Sequence, residues 1–163
     1  MTAVLKDALT QALVTVLQWI EDRPKWLHPP LYGALFIYWF MALRGAWIVV
    51  PVALAIVAFK SPLTALHLLL AIAVYAPLGG LVGGALYSLA NPVARYLGKV
   101  GTFVQCLLAA FGYAVILNFL IVPTLDGKPM PSLSNPSEWT SVILIGLIGG
   151  VALGVGMVSE DAA

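Results

Sequence analysis

Between Thr2 and Asp22 the apolar residues Leu5, Leu9, Ala12, Leu13, Val16, Trp19 and Ile20 recur every three or four positions, and Asp7, Gln11, Thr15, Gln18 and Asp22 fill the opposite side. That period predicts an amphipathic helix over 2–22. Beside membrane spans, such a helix lies flat in the interface with its apolar face down, or docks on a partner subunit. Its polar side carries Asp7, Glu21 and Asp22, which excludes a basic lipid-binding helix. The interleaved charges also break up the uninterrupted apolar core that a signal peptide needs. Arg23, Pro24, Lys25, His28, Pro29 and Pro30 then end the helix and set basic groups at the membrane boundary.

Beyond Leu31 the alternation gives way to four apolar runs, 31–59, 63–90, 100–122 and 139–158. Each is long enough for a hydrocarbon core of about 30 Å, which takes about 20 helical residues. Ser61-Pro62, Asn91-Pro92 and Asn135-Pro136 each place a capping residue before a proline at the first helical position, and Glu138 supplies the acid of a capping box. The expected fold is an all-α integral membrane protein, with an N-terminal amphipathic interfacial helix plus four transmembrane helices in one membrane domain over 1–163. The segment 123–138 has its turn at Asp126-Gly127 and too many prolines for regular structure. With the N-terminus inside, Lys6, Arg23, Lys25, Arg95 and Lys99 fall on the cytoplasmic side, and only Lys60 and Lys128 on the far side. The positive-inside rule therefore predicts both termini cytoplasmic, in a bacterial inner membrane.

The first run is longer than one crossing requires, since a straight helix over it reaches about 43 Å. Tyr32, Phe36, Tyr38, Trp39, Phe40 and Trp47 crowd its first half, whereas Val49 to Ala58 is aliphatic apart from Pro51. This pattern makes Trp39 and Trp47 interfacial anchors and puts Arg44 at the inner boundary, snorkelling toward headgroups. The alternative is a run split at Arg44-Gly45 into a re-entrant or interfacial helix and a span.

Small residues repeat every four positions in the later runs: Ala76, Gly80, Gly84 and Ser88; Thr102, Cys106, Ala110, Ala114 and Asn118; Gly146, Gly150 and Gly154. That spacing forms a stripe along a helix on which a second backbone can approach closely, the pattern of a glycine zipper. Gly80, Gly84, Ser88, Cys106, Ala110, Ala114, Gly146, Gly150 and Gly154 are therefore the expected packing residues. G-L-V-G-G (80–84) and G-L-I-G-G (146–150) resemble each other, but their different depths argue against a transporter-type repeat. Pro77, beside Gly79 and Gly80, predicts a kink.

Composition sharpens the class. The chain has 163 residues, of which 61% are hydrophobic and 9% charged, against about 25% charged in soluble domains. A net charge of +1 and a single cysteine, Cys106, leave no basis for nucleic-acid binding, a disulfide framework or a thiolate metal site. Asp7, Glu21, Asp22, Asp126, Glu138, Glu160 and Asp161 all lie outside the apolar runs, which takes weight from a carboxylate proton relay. No residues assemble a hydrolase triad or a phosphate loop. His67 is the histidine within an apolar run, and its imidazole is the candidate ligand for a haem or chlorophyll-type pigment. Gln105 and Asn118 are the buried polar candidates, better suited to holding helices together than to binding substrate. The expected function is a small, non-enzymatic multi-pass subunit or assembly factor, with membrane lipids and other membrane subunits as partners. The alternatives are a homo-oligomeric channel or carrier with Arg44 and Asn118 near its path, and a pigment- or haem-binding subunit using His67.

Overall fold

The computed structural model describes residues 3–43 and 46–160, with side chains placed over 10–37 and 50–157. Among these residues the protein is all-helical. Helix α1 spans Ala3–Glu21, α2 His28–Leu43 and α3 Ala46–Lys60. Two long helices follow, α4 at Pro62–Leu89 and α6 at Lys99–Asp126, joined by the short α5 at Asn91–Leu97. The last helix, α7, runs over Pro136–Glu160. Helices α4, α6 and the Pro136–Met157 part of α7 have 28, 28 and 22 residues and are long and apolar enough to cross a membrane. The chain is a membrane protein by that measure.

Each of the two longest helices contains one π-helical turn, Ala71–Tyr75 in α4 and Leu117–Ile121 in α6. Both lie just ahead of a proline, Pro77 and Pro123. A proline inside a helix lacks its N–H and crowds the carbonyl four residues earlier, so a widened turn there lets the helix continue. For this reason α6 runs on to Asp126, past the boundary expected at 122. It ends where Gly127 adopts φ 65°, with Gly127 N–H donating to the Thr124 carbonyl and Lys128 N–H to the Pro123 carbonyl, a Schellman termination. The two π turns pack together, and Ala71, Ala76 and Ile121 form a buried cluster there with Ile37, Tyr75, Ile116 and Leu117 around it.

In the run 31–59, expected to hold one crossing, the described helical segments are His28–Leu43 and Ala46–Lys60, of 16 and 15 residues. Helix α2 follows the second half of α4, with Pro29 beside Gly84, Gly33 beside Gly80 and Ile37 on the Ala71–Ala76 cluster. Helix α3 lies against the first half, where Leu54, Ala55 and Ala58 face Pro62, Ala65, Leu66 and Leu69 across an apolar groove of about 450 Å³. The two segments thus track the two halves of a neighbour that changes register at its π turn. Arg44, Gly45 and the side chains of Trp39 and Trp47 lie outside the described residues, so the anchor and snorkelling expectations fall there too.

The main helix interfaces are α2 on α4, α4 on α6, and α6 on α7, which arranges the helices in a row. Helix α4 meets its two neighbours through different glycines. A methyl group on Gly33 would fall on the Gly80 carbonyl oxygen, so α2 touches α4 backbone to backbone. One turn-face away, a methyl on Gly83 would stand 2.7 Å from the Ala109 carbonyl oxygen, and one on Gly79 would stand 2.6 Å from the Tyr113 ring of α6. On α7 the glycines receive both backbone and large side chains: Phe111 lies on Gly146, Leu107 on Gly150 and Phe103 on Gly154.

Neighbouring glycines of α7 differ sharply. A methyl on Gly150 would stand 2.6 Å from the Leu107 Cα, whereas one on Gly149 would stand 3.5 Å from the Ala110 Cβ, an ordinary contact. Gly150→Ala is therefore expected to destabilise the protein by about 1–3 kcal/mol through overpacking. Gly149→Ala should be neutral or stabilising by up to about 1 kcal/mol, because alanine favours the helix. Thermal unfolding of the two variants in the same detergent checks the ordering.

Candidate functional site

Two polar clusters interrupt the apolar packing, one at each end of the bundle. At the end carrying α5, Gln105 of α6 is 4% exposed and donates from Nε2 to the Asn91 Oδ1 at 2.7 Å and to the Tyr87 carbonyl at 3.2 Å. Asn91 does not cap α5 as the Asn91-Pro92 pair predicts. Ala90 holds the capping position, and no side chain bonds there. The Asn91 side chain is drawn off because a buried amide without a partner costs more than an open helix end at the surface. The other two caps form as expected: Ser61 Oγ accepts from Thr64 N–H, and Asn135 Oδ1 from Ser137 N–H.

At the opposite end, between α6, α7 and the loop 127–135, Asn118 sits on the π turn of α6. Its Nδ2 donates to the Glu138 Oε2 at 2.9 Å and to the Glu138 carbonyl at 3.2 Å. Glu138, expected in a capping box, instead turns its carboxylate across to α6. A π turn aims its side chains differently from an α turn, which brings Asn118 toward the start of α7. Beneath this contact Phe119, Ala114 and Val142 are buried together, with Phe111, Val115 and Trp139 packed around them. Trp139 lies 5.3 Å from the Phe119 ring centroid and donates from Nε1 to the Leu133 carbonyl, fastening the loop to α7.

Asn118 and Glu138 line a cavity of about 220 Å³ together with Val122, Pro123, Asp126, Lys128, Pro129 and Pro131. Asp126 and Lys128 pair at 2.9 Å, with their side chains 47% and 71% exposed, so solvent screens that bridge and it adds little stability. Here a cavity, charges of both signs and a half-buried amide meet.

The residues singled out from sequence disperse around this frame. His67 is half-buried on the first half of α4, and His28 stands at the start of α2, where its Nε2 donates to the Arg23 carbonyl. No group of three His, Cys, Asp or Glu side chains gathers among the described residues. Gly80 and Gly84 lie on α2, Gly146, Gly150 and Gly154 on α6, and Ala114 is fully buried beside Val142. Ala110 is buried near Gly149, and Ser88 Oγ donates to the Ala85 carbonyl within its own helix. Buried Cys106 points its thiol at the Met157 sulfur, 3.4 Å away. The four-residue stripes did not include Gly33, Gly79, Gly83 and Gly112 as packing residues, and nothing in the spacing pointed to Asp126 and Lys128 as neighbours of Asn118. The proximity of Pro123 to Asn118 was the available signal, since a mid-helix proline forecasts a distorted turn before it.

No protein family, curated protein or solved structure matches the chain.

Replacing Gln105 by leucine removes both of its hydrogen bonds and leaves Asn91 Oδ1 without its donor. The expected cost is about 0.6–1.7 kcal/mol, the range for polar contacts between membrane helices. Unfolding of the Gln105→Leu variant in detergent, beside the wild-type chain, reads it directly.

Proposed function

We propose that the chain is a small, non-catalytic multi-pass subunit or assembly factor of a larger membrane complex. In this reading α2 and α3 together make a fourth crossing, and α1 lies on the cytoplasmic membrane surface, with both termini on that side of a bacterial inner membrane. The observation that carries the reading is the row arrangement. The helices line up as α2, α4, α6 and α7, and the end helices α2 and α7 share no interface comparable to the three between neighbours.

A row offers two broad apolar faces. Ile148 on α7 and Phe59 on α3 are 71% and 94% exposed, and α7 presents Leu144, Val151 and Val155 beside Ile148. Such faces suit a layer laid against lipid and other helices more than a wall around a pore. The amphipathic α1 supports the same reading: Ile20 is buried, while Val16 and Trp19 of its apolar side stay exposed and available to an interface. Arg23 covers the Trp19 ring at 4.4 Å, a basic group over an aromatic ring as at a membrane boundary.

Mild-detergent extraction from the native membrane, followed by cross-linking and mass spectrometry, should recover the chain with other membrane polypeptides. Recovery only as an isolated monomer or as a self-assembled pore that conducts in liposomes would overturn the proposal. Orientation is read separately with cysteines introduced at exposed positions. Ser132→Cys is expected to react with a membrane-impermeant maleimide from outside, and Tyr96→Cys only after the membrane is opened, against the low background of buried Cys106.

A further inference from the structure

We propose that the groove between α3 and α4 seats one membrane phospholipid, with an acyl chain along the groove and the phosphate at Lys60 and Ser61. The groove has a volume of about 450 Å³, and its lining is apolar throughout, from Ala58 and Pro62 beside the α3–α4 connection to Leu54 and Leu69 at the other end. The backbone groups of its helical walls are spent on one another, so the walls offer an occupant no hydrogen bond. Hydrocarbon suits such a lining.

Shape narrows the choice. From Pro62 to Leu69 is about 10 Å of helix, two-thirds of a hydrocarbon leaflet of about 15 Å. A partner helix about 10 Å across would occupy about 800 Å³ over that length, nearly twice the groove, and could only rest across it. A single acyl chain is slender enough to enter. The short side chains of Ala55, Ala58 and Ala65 on the walls keep the groove wide enough for one.

The polar end of the occupant is set by what stands where the groove begins. Lys60, the last residue of α3, and Ser61 join the two walls. Lys60 is exposed and makes no ion pair or hydrogen bond among the described residues. The acids at that end of the bundle are engaged elsewhere, Asp126 with Lys128 and Glu138 with Asn118. Ser61 Oγ accepts from Thr64 N–H at 3.3 Å and from Thr64 Oγ1 at 2.9 Å, so both of its lone pairs are taken and its own O–H is left to donate. An ammonium and a hydroxyl, all donors, thus stand together at the head of an apolar groove. A phosphate supplies the acceptors and the opposite charge. A phosphate joined to a long hydrocarbon chain and delivered from within the bilayer is a phospholipid. The inference requires α4 to cross the membrane and does not depend on membership of a larger complex.

The test uses the purified full chain in nanodiscs of phosphatidylcholine containing a fraction of phosphatidylcholine with a diazirine on one acyl chain. After irradiation, digestion and mass spectrometry locate the adducts. Leu144, Ile148, Val151 and Val155 of α7 are the internal comparison, since they are exposed and do not line the groove. The expected result is about tenfold more adduct on 54–69 than on 144–155. Ala58→Phe fills the groove and should bring 54–69 down to the level of α7. Lys60→Gln, at an exposed position that the fold does not use, should lower the 54–69 adducts several-fold and leave those on α7 unchanged. Equal labelling of the two segments in the wild-type chain would overturn the proposal, as would a folded Ala58→Phe or Lys60→Gln chain that labels like wild type. Should Ala58→Phe not fold, Lys60→Gln decides the question by itself. Disulfide-linked dimers of Leu66→Cys chains in the same nanodiscs would give the groove to a second copy of the chain and refute the lipid.

Discussion

Backbone contact across α4 is the constraint on which the rest of the bundle depends. Lipid tails are as apolar as leucine side chains, so membrane helices gain little from hiding apolar surface and must gain from close packing instead. Helix α4 obtains that packing on two sides at once, through Gly80 and Gly84 toward α2 and through Gly79 and Gly83 toward α6. Adjacent glycines point in directions about 100° apart on a helix, so α4 meets α2 and α6 on two different sides. Helix α6 repeats the arrangement with the size relation reversed, since Phe103, Leu107 and Phe111 fill the glycine positions of α7.

The prolines act on this frame through the π turns ahead of them. Each π turn inserts one extra residue into a helical turn and shifts the facing of every residue beyond it. In α4 the shift separates the half that packs on α3 from the half that packs on α2. In α6 it separates the stripe that meets α7 from the segment carrying Asn118, Pro123 and Asp126. The two shifts lie side by side, and the buried Ala71, Ala76 and Ile121 fill the join. The end of α6 can thus leave the regular packing, turn Asn118 to Glu138 and make room for the cavity. The Gln105 cluster at the other end shows the complementary case, a regular helix whose buried amide takes Asn91 away from its cap.

The glycine stripes bear on function in an unexpected way. Read along the chain, they suggest surfaces kept for partner helices. In the fold Gly80, Gly84, Gly146, Gly150 and Gly154 are all covered from within the chain. A subunit role therefore draws its support from the broad faces of the row and from α1, where large aliphatic and aromatic groups stay exposed.

Periodicity and apolar run length determined the helical class, the membrane setting, the three long helices and two of the three capped starts, because these depend on interactions within about one helical turn or on the thickness of the bilayer. The small-residue stripes were legible for the same reason. The sequence could not show that α6 continues through Pro123, or that Asn91 and Glu138 abandon their caps. The first turns on the widened turn ahead of the proline, and the two lost caps turn on neighbours distant in the chain, the Gln105 amide and the Asn118 amide. Only the tertiary structure decided the two caps, because an amide packed between helices must find its partner wherever packing places one, and that contact outweighs a local cap exposed to water.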